Sequence, residues 1–94
     1  MRRTKVPPEI TRLLGMCGLT RNGAVRVLAG LHDELPQQYG RWQHLRHPED
    51  DRLFFFVIAV ADGGLLHSFT WHVDDSTSPE HLLVTDFEHK SRPV

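Results

Sequence analysis

The longest apolar stretch of the chain runs from Leu53 to Ala61 and contains nine consecutive apolar residues, many of them aromatic or β-branched. An apolar run of this length without alternation is typical of a strand that is buried on both faces in the middle of a sheet. We therefore predict an inner strand over residues 53–61. Its hairpin partner is expected to follow at once, because Asp62-Gly63-Gly64 favours a tight turn.

The stretch from Leu65 to Val73 alternates between two sets of side chains, which is the pattern of a strand with two different faces. His67, Phe69, Trp71 and Val73 are predicted to point one way. The turn formers of residues 74–79 then separate this strand from a third one, Leu82–Glu88, which completes an antiparallel meander. Residues 89–94 are expected to be a short tail.

The first half of the chain carries helical signals. Pro7-Pro8 suits the first turn of a helix, and Gly15 or Gly18 is expected to end it. Thr20 or Asn22 is a candidate cap for a second helix. The apolar positions of this second helix recur at three and four residues and predict a stripe packed on a sheet: Ala24, Val27, Leu28, Leu31 and Leu35.

Three further segments complete the prediction. Thr4-Lys5-Val6 is expected to form a short edge strand before the helices. Leu35-Pro36 is expected to stop the second helix. Residues 36–51 are polar and irregular, and they predict a surface connection with Trp42 and Leu45 tucked against the protein. The whole is an α+β domain over residues 1–94, with two N-terminal helices packed on one face of an antiparallel sheet that ends in a three-stranded meander.

The composition of the chain limits the classes of binding partner that we expect. Eleven Lys and Arg stand against twelve Asp and Glu, for a formal charge of -1, so charge alone does not favour nucleic acid or a membrane surface. The one cysteine, Cys17, has no internal disulfide partner, which is typical of a reducing cytoplasm. No window has the length of a signal peptide or a transmembrane helix, so we expect a soluble, cytoplasmic protein without a membrane partner.

The seven histidines raise the question of a metal site. His44-x-x-His47 has no further ligand nearby in the sequence, and His67 and His72 are separated by an odd number of residues, so they point to opposite faces of a strand. We predict no metal and no cofactor. His67, on the face of Phe69 and Trp71, is expected to be a histidine at the edge of the core with its nitrogens satisfied.

The order of elements resembles the RelE/ParE type of toxin from bacterial toxin–antitoxin pairs. The resemblance covers most of the chain and lies in the opening Val6-Pro7-Pro8-Glu9, the helix end from Leu31 to Pro36, and Leu45-Arg46 before the sheet. It continues in the last strand, Leu83-Val84-Thr85-Asp86-Phe87, which leads into the polar pair His89-Lys90.

The resemblance implies a function. Active RelE-like proteins cleave messenger RNA on the ribosome by letting a ribose 2′-OH attack the neighbouring phosphate, which takes a base, an acid and cations. Carried over to this chain, the candidate catalytic residues are His89, Lys90, His72 and Arg52, with Glu88 as the available carboxylate. The resemblance implies RNA contact for Arg46 and Arg92.

Other observations favour a protein without this activity. The stretch from Leu53 to Ala61 contains no Arg or Lys, and the only tyrosine is Tyr39. The arginines at 46 and 52 have a simpler interpretation as ion-pair partners of Glu49, Asp50 and Asp51, and residues 89–92 as a solvated tail.

Two classes of function therefore stay open. The first is the toxin of a toxin–antitoxin pair, bound by an antitoxin protein and acting on ribosome-associated messenger RNA as an endoribonuclease. The second is a non-catalytic protein-interaction module of the same fold, used for homodimer formation or partner binding, including a gyrase-binding role of the ParE kind.

Overall fold

A computed structural model describes residues 2–39 and 46–94 of the chain. Its elements, in chain order, are β1 (Arg3–Lys5), α1 (Pro8–Leu14), α2 (Arg21–Ala29), a π-helical turn (Gly30–Glu34), α3 (Leu35–Gln38), β2 (Leu53–Asp62), β3 (Leu65–Asp74) and β4 (His81–Pro93). The prediction of an α+β fold is confirmed. The predicted positions of Trp42 and Leu45 lie outside the described residues.

The helices begin where local chemistry favours it. Pro8 occupies the first turn of α1, where its missing N–H has no helical partner to lose. The Thr20 hydroxyl caps α2 by accepting the Gly23 N–H at 3.2 Å. The predicted stripe is confirmed at its centre, because Val27, Leu31 and Leu35 are fully buried. Leu28 is only half-buried beside them.

The predicted helix stop at Leu35-Pro36 is wrong, because the chain stays helical to Gln38. A proline inside a regular α-helix removes a hydrogen bond and collides with the preceding turn. Here the wider π-helical turn of Gly30–Glu34 precedes the proline, and Pro36 lies at the start of α3. The change of helical pitch lets the chain pass through the proline.

The four strands form one sheet in the order β1-β4-β3-β2. β1 is an edge strand as predicted, but it runs parallel to β4, with Thr4 opposite Leu82. The sheet is therefore mixed rather than antiparallel throughout. The two hairpin-connected pairs, β2 with β3 and β3 with β4, are antiparallel.

The prediction of an inner strand at Leu53–Ala61 is wrong, because β2 lies at the edge of the sheet. Helices cover only one face of the sheet, so β2 needs burial only at alternate positions. Phe54, Phe56 and Ile58 face the core, whereas Val57 on the other face is 59% exposed. An unbroken apolar run here marks an edge strand with apolar residues on its open face.

β3 confirms the predicted alternation, since His67, Phe69, Trp71 and Val73 are all buried. β4 is longer than predicted. It continues past Glu88 to Pro93 because the first half of β3 needs a partner, and Leu65 to Thr70 pair with residues 88–93. Residues 89–93 are therefore strand and not a tail.

Candidate functional site

The sheet face opposite the helices, called the open face below, carries part of the predicted site. His72 of β3 lies 3.3 Å from Glu88 of β4, measured from Nε2 to Oε2. His47 approaches the same place, with its ring 5.5 Å from the His72 ring and 5.4 Å from the Phe55 ring. Lys90 of β4 pairs with Ser68 of β3 and also lies on the open face. The open face thus holds an imidazole, a carboxylate and an ammonium group within two neighbouring strands.

His89 and Lys90 do not lie together. Neighbouring residues of a strand point to opposite faces. His89 faces the core, where its ring stacks on Phe69 with centroids 4.7 Å apart. The structure therefore separates His89 from Lys90, His72 and Glu88 by the thickness of the sheet.

His89 instead forms a pair with His67. Their ring planes are nearly parallel, at 12°, and Nδ1 of His67 lies 2.9 Å from Nε2 of His89. One of these nitrogens must donate and the other accept, so the contact holds a single proton. Burial, and then the charge of His67, lower the pKa of His89. The other nitrogen of His67, Nε2, is buried and has no hydrogen-bond partner in the described part of the chain, so only one of its two nitrogens is satisfied as predicted.

The two predicted arginines near the start of β2 are held by carboxylates. Arg46 makes a bidentate contact with Asp75 at 3.0 and 2.9 Å, and its guanidinium lies over the Phe54 ring. Arg52 contacts Asp50 at 3.2 and 3.1 Å. The positive charge of each of these arginines is therefore balanced by a neighbouring carboxylate. Of the predicted residues, Lys90 and Arg92 have no acidic partner within the part of the chain that is described.

The edge of β2 presents backbone groups away from the sheet. Gly63 and Gly64 both have positive φ, 62° and 80°, which is the geometry of a two-residue hairpin turn. Such a turn places the flanking residues, Asp62 and Leu65, in a hydrogen-bonded pair, so the odd-numbered residues of β2 point outward. Two contacts agree: the outward carbonyl of Ala61 accepts from Arg26 at 2.8 Å, and that of Leu53 accepts from the His47 N–H at 3.0 Å.

Between these two ends, the N–H and C=O groups of Val57 and Ala59 have no partner within residues 2–39 and 46–94. Beside them runs a groove of about 440 Å³ between β2 and the helices, called the β2 groove below. Its lining residues come from α2, the π-helical turn and β2: Arg26, Ala29, Gly30, Asp33, Glu34 and Val57–Val60.

The two ends of the β2 groove differ in charge. At the hairpin end, Arg26 is engaged with the Ala61 carbonyl and lies 3.6 Å from the Asp62 carboxylate. At the other end, Asp33 and Glu34 are exposed and have no basic partner among the described residues. The β2 groove therefore combines apolar lining residues, strand backbone that has no partner among the described residues, and one acidic end.

The sequence interpretation missed the β2 groove. No local sequence pattern indicates that β2 lies at the edge of the sheet. Its unbroken apolar run instead favoured a strand in the middle of the sheet. Gly30, inside the helical stripe, is the one signal that pointed here. A Cβ at this position would lie 2.9 Å from Cδ1 of Ile58, so the glycine allows the helix to approach β2 closely.

No three His, Cys, Asp or Glu side chains of the described residues are grouped in a way that would hold a metal ion. In the same part of the chain, none of the helices has the length and apolar character needed to cross a membrane. No family model matches the chain, and no curated protein or solved structure matches it either.

Proposed function

We propose that this protein is a protein-interaction module that binds an extended segment of a partner protein along the β2 groove. The observation that carries this proposal is the backbone of Val57 and Ala59, which has no partner within residues 2–39 and 46–94 and lies beside a groove that apolar residues of β2 line. Edge strands of this kind recognise extended peptides by adding a strand: main-chain hydrogen bonds supply affinity, and alternate side chains supply specificity.

The chemistry of the groove defines the partner segment. Its backbone pairs with Val57 and Ala59, and its alternate side chains cover the exposed side chain of Val57 on the open face. A Lys or Arg of the segment pairs with Asp33 and Glu34 at the acidic end. An antitoxin protein of the kind that the RelE/ParE resemblance implies would be one such partner.

The test is selection of binders from a library of random peptides about a dozen residues long, a length that suits strand addition. We expect selected peptides to alternate apolar and polar residues and to contain Lys or Arg. Backbone NMR shifts on binding should change at residues 55–60 of β2 and at Asp33 and Glu34. Reversing the acidic end with Asp33→Lys and Glu34→Lys should remove the preference for basic peptides.

Val57→Pro provides the sharper control, because it removes an outward N–H that the pairing with β3 does not use. With the fold intact, it should weaken peptide binding by about tenfold, the scale of a lost hydrogen bond. Val57→Ala keeps that N–H and should have a much smaller effect. No selected peptides, or peptides whose shifts map outside the groove, would contradict the proposal.

A second candidate function, an endoribonuclease of the RelE kind, is favoured by one observation. His72, Glu88 and Lys90 share the open face, with His72 and Glu88 in contact at 3.3 Å. These groups supply a proton acceptor, a proton donor and a cation, which 2′-OH attack on a phosphate needs. The resemblance implied a catalytic role for His89, but His89 lies on the other face of the sheet. In this second candidate function His72 takes that role.

Inducing the protein in a bacterial host while following growth and messenger RNA integrity tests the nuclease. If it is active, growth stops, and His72→Ala together with Lys90→Ala relieves the arrest. Arg12→Ala, an exposed change on α1, is the matched control and should leave the arrest in place. Normal growth with intact messenger RNA would leave the interaction module as the function.

A further inference from the structure

The second free edge of the sheet belongs to β4. β1 pairs with β4 only at His81, Leu82 and Leu83. From Val84 to Pro93, β4 pairs with β3 on one side and with none of the described residues on the other. This stretch, called the free edge of β4 below, is separate from the β2 groove, because it lies at the opposite side of the sheet.

The register shows which backbone groups of this edge point outward. In β3 the odd-numbered residues bond to β2, so the even-numbered ones bond to β4. The partners of the latter in β4 are also even-numbered, as in Thr70 with Glu88 and Ser68 with Lys90. The N–H and C=O groups of Phe87, His89 and Ser91 therefore point outward.

Two contacts agree with this assignment. The Val94 N–H, at an even position, donates inward to the Gly64 carbonyl at 3.1 Å. The Phe87 N–H does not donate to β3 and is taken by the Asp86 side chain at 2.8 Å. Pro93 also lies at an outward position, and it has no N–H to offer, so pairing along this edge ends before it.

The side chains of the free edge carry an ordered charge pattern. Its even-numbered residues lie on the open face and are exposed, and they read acid, acid, base, base: Asp86, Glu88, Lys90 and Arg92. Lys90 and Arg92 have no acidic partner among the described residues. Such a pattern is self-complementary, because turning the strand around places bases opposite acids.

We propose that the free edge of β4 is a self-association surface, at which a second copy of this chain pairs β4 with β4 in antiparallel orientation around a two-fold axis at His89. In this register Asp86 lies opposite Arg92 of the second copy, and Glu88 lies opposite Lys90 of the second copy. Directly opposite charges on antiparallel strands attract each other.

The same register also satisfies the backbone. His89 pairs with His89 of the second copy, and Phe87 pairs with Ser91 of the second copy, and all of these positions have outward N–H and C=O groups. The Asp86 carboxylate releases the Phe87 N–H and turns to the arginine across the interface. A register shifted by one residue would place outward groups opposite groups already bonded to β3, so the backbone and the charges select the same arrangement.

The dimer is expected to be weak. One strand from each copy buries little surface, and interfaces below about 1,200 Å² are characteristic of transient complexes. Sedimentation velocity from about 10 µM to 1 mM covers the corresponding range of affinities. We expect the wild-type protein to dimerise with rising concentration and to dissociate with rising salt, because the charge pairs are exposed.

A charge exchange tests the register. The two-fold axis produces the pair of residue 88 with residue 90 of the second copy twice. Glu88→Lys alone places two positive charges opposite each other in both pairs, and Lys90→Glu alone places two negative charges there. Each variant should dimerise at least about tenfold more weakly than the wild type. An equimolar mixture of the two variants restores opposite charges and should form a heterodimer, and the double variant Glu88→Lys with Lys90→Glu should form a homodimer again.

The restoration separates an interface from a structural role, because both rescued forms carry the same substitutions as the weak ones. Glu49→Lys makes the same change of charge in the exposed loop before β2 and should leave dimerisation unchanged. A wild-type protein that stays monomeric at the highest concentration overturns the proposal. So does a mixture that remains monomeric, which would place any dimer contact elsewhere.

Discussion

Replacing Leu31 by alanine is expected to lower the free energy of unfolding by about 2–5 kcal/mol, the cost of removing a buried leucine side chain and leaving a cavity. Leu31 has no exposed surface and lies in the core beneath the sheet. The cavity cannot collapse easily, because the π-helical turn is tied to β1 by the Thr4 hydroxyl, which donates to the Leu31 carbonyl at 2.5 Å. Such a loss is a large fraction of the free energy of unfolding of a typical domain, which is about 5–15 kcal/mol.

Val25→Ala is the matched control, since Val25 lies on the same helical segment but is 58% exposed. It should change the free energy of unfolding by no more than about 0.5 kcal/mol. Leu28→Ala should fall between the two, because Leu28 is half-buried. Urea denaturation of the three variants measures the order. Equal losses at Leu31 and Val25 would contradict the assignment of the buried stripe.

Replacing Asp75 by alanine is expected to cost about 1–3 kcal/mol, the scale of a carboxylate lost from a partly buried hydrogen-bond network. The Asp75 side chain is 8% exposed and accepts two hydrogen bonds from Arg46 and one from the Tyr39 hydroxyl, at 2.7 Å. Its backbone carbonyl also accepts from Arg2 at 2.6 Å. The network joins Arg2 before β1, Tyr39 after α3, Arg46 in the segment before β2 and Asp75 in the loop after β3, so its loss loosens one end of the sheet.

The pH dependence of this effect follows from the direction of the pKa shift. Burial acts to raise the pKa of Asp75, but the hydrogen bonds from Arg46 and Tyr39 outweigh it and hold the pKa below its usual value. A carboxylate with a lowered pKa in the folded state stabilises the fold above its unfolded pKa of about 3.9, and this contribution is lost as the pH falls through the folded value. The stability curves of the wild type and Asp75→Ala should therefore converge below about pH 4.

Asp50→Ala is the control, because the Asp50–Arg52 pair is solvent-exposed and should contribute little. Denaturation at pH 7 and at acidic pH, on both variants and the wild type, gives the comparison. A difference between the wild type and Asp75→Ala that stays constant down to acidic pH would show that the carboxylate charge is not the source of the stability.

The elements that local chemistry specifies are those that the sequence predicted well. The alternation from His67 to Val73 defines the two faces of β3 wherever that strand lies in the sheet. Gly63 and Gly64 predict the turn, because glycine takes positive φ without steric cost. Thr20 predicts the helix start for an equally local reason, the hydrogen bond that its side chain accepts from Gly23.

The candidate site was predictable only in part. Residues of the right chemistry, His72, Glu88 and Lys90, do share a face, and the alternation within the predicted strands already indicates it for His72 and Glu88, whereas Lys90 was predicted to lie in a tail. The placement of His89 depends on β4 continuing to Pro93, which follows from the length of β3 rather than from any pattern within residues 89–93. Arg46 is held in an ion pair with Asp75, which is distant in the sequence, so no local pattern could predict this pairing.

By itself, then, the sequence determined the centre of the helical stripe, the hairpin and the faces of β3, because each depends on neighbours along the chain. Only the tertiary structure decided that β2 is an edge strand, that β1 lies beside β4 and that Arg46 is neutralised. Strand order is set by how the helices and crossing connections pack, and the same apolar run suits an inner strand or an edge strand with one covered face. Both proposed binding edges follow from that order, which is why no local pattern could reveal them.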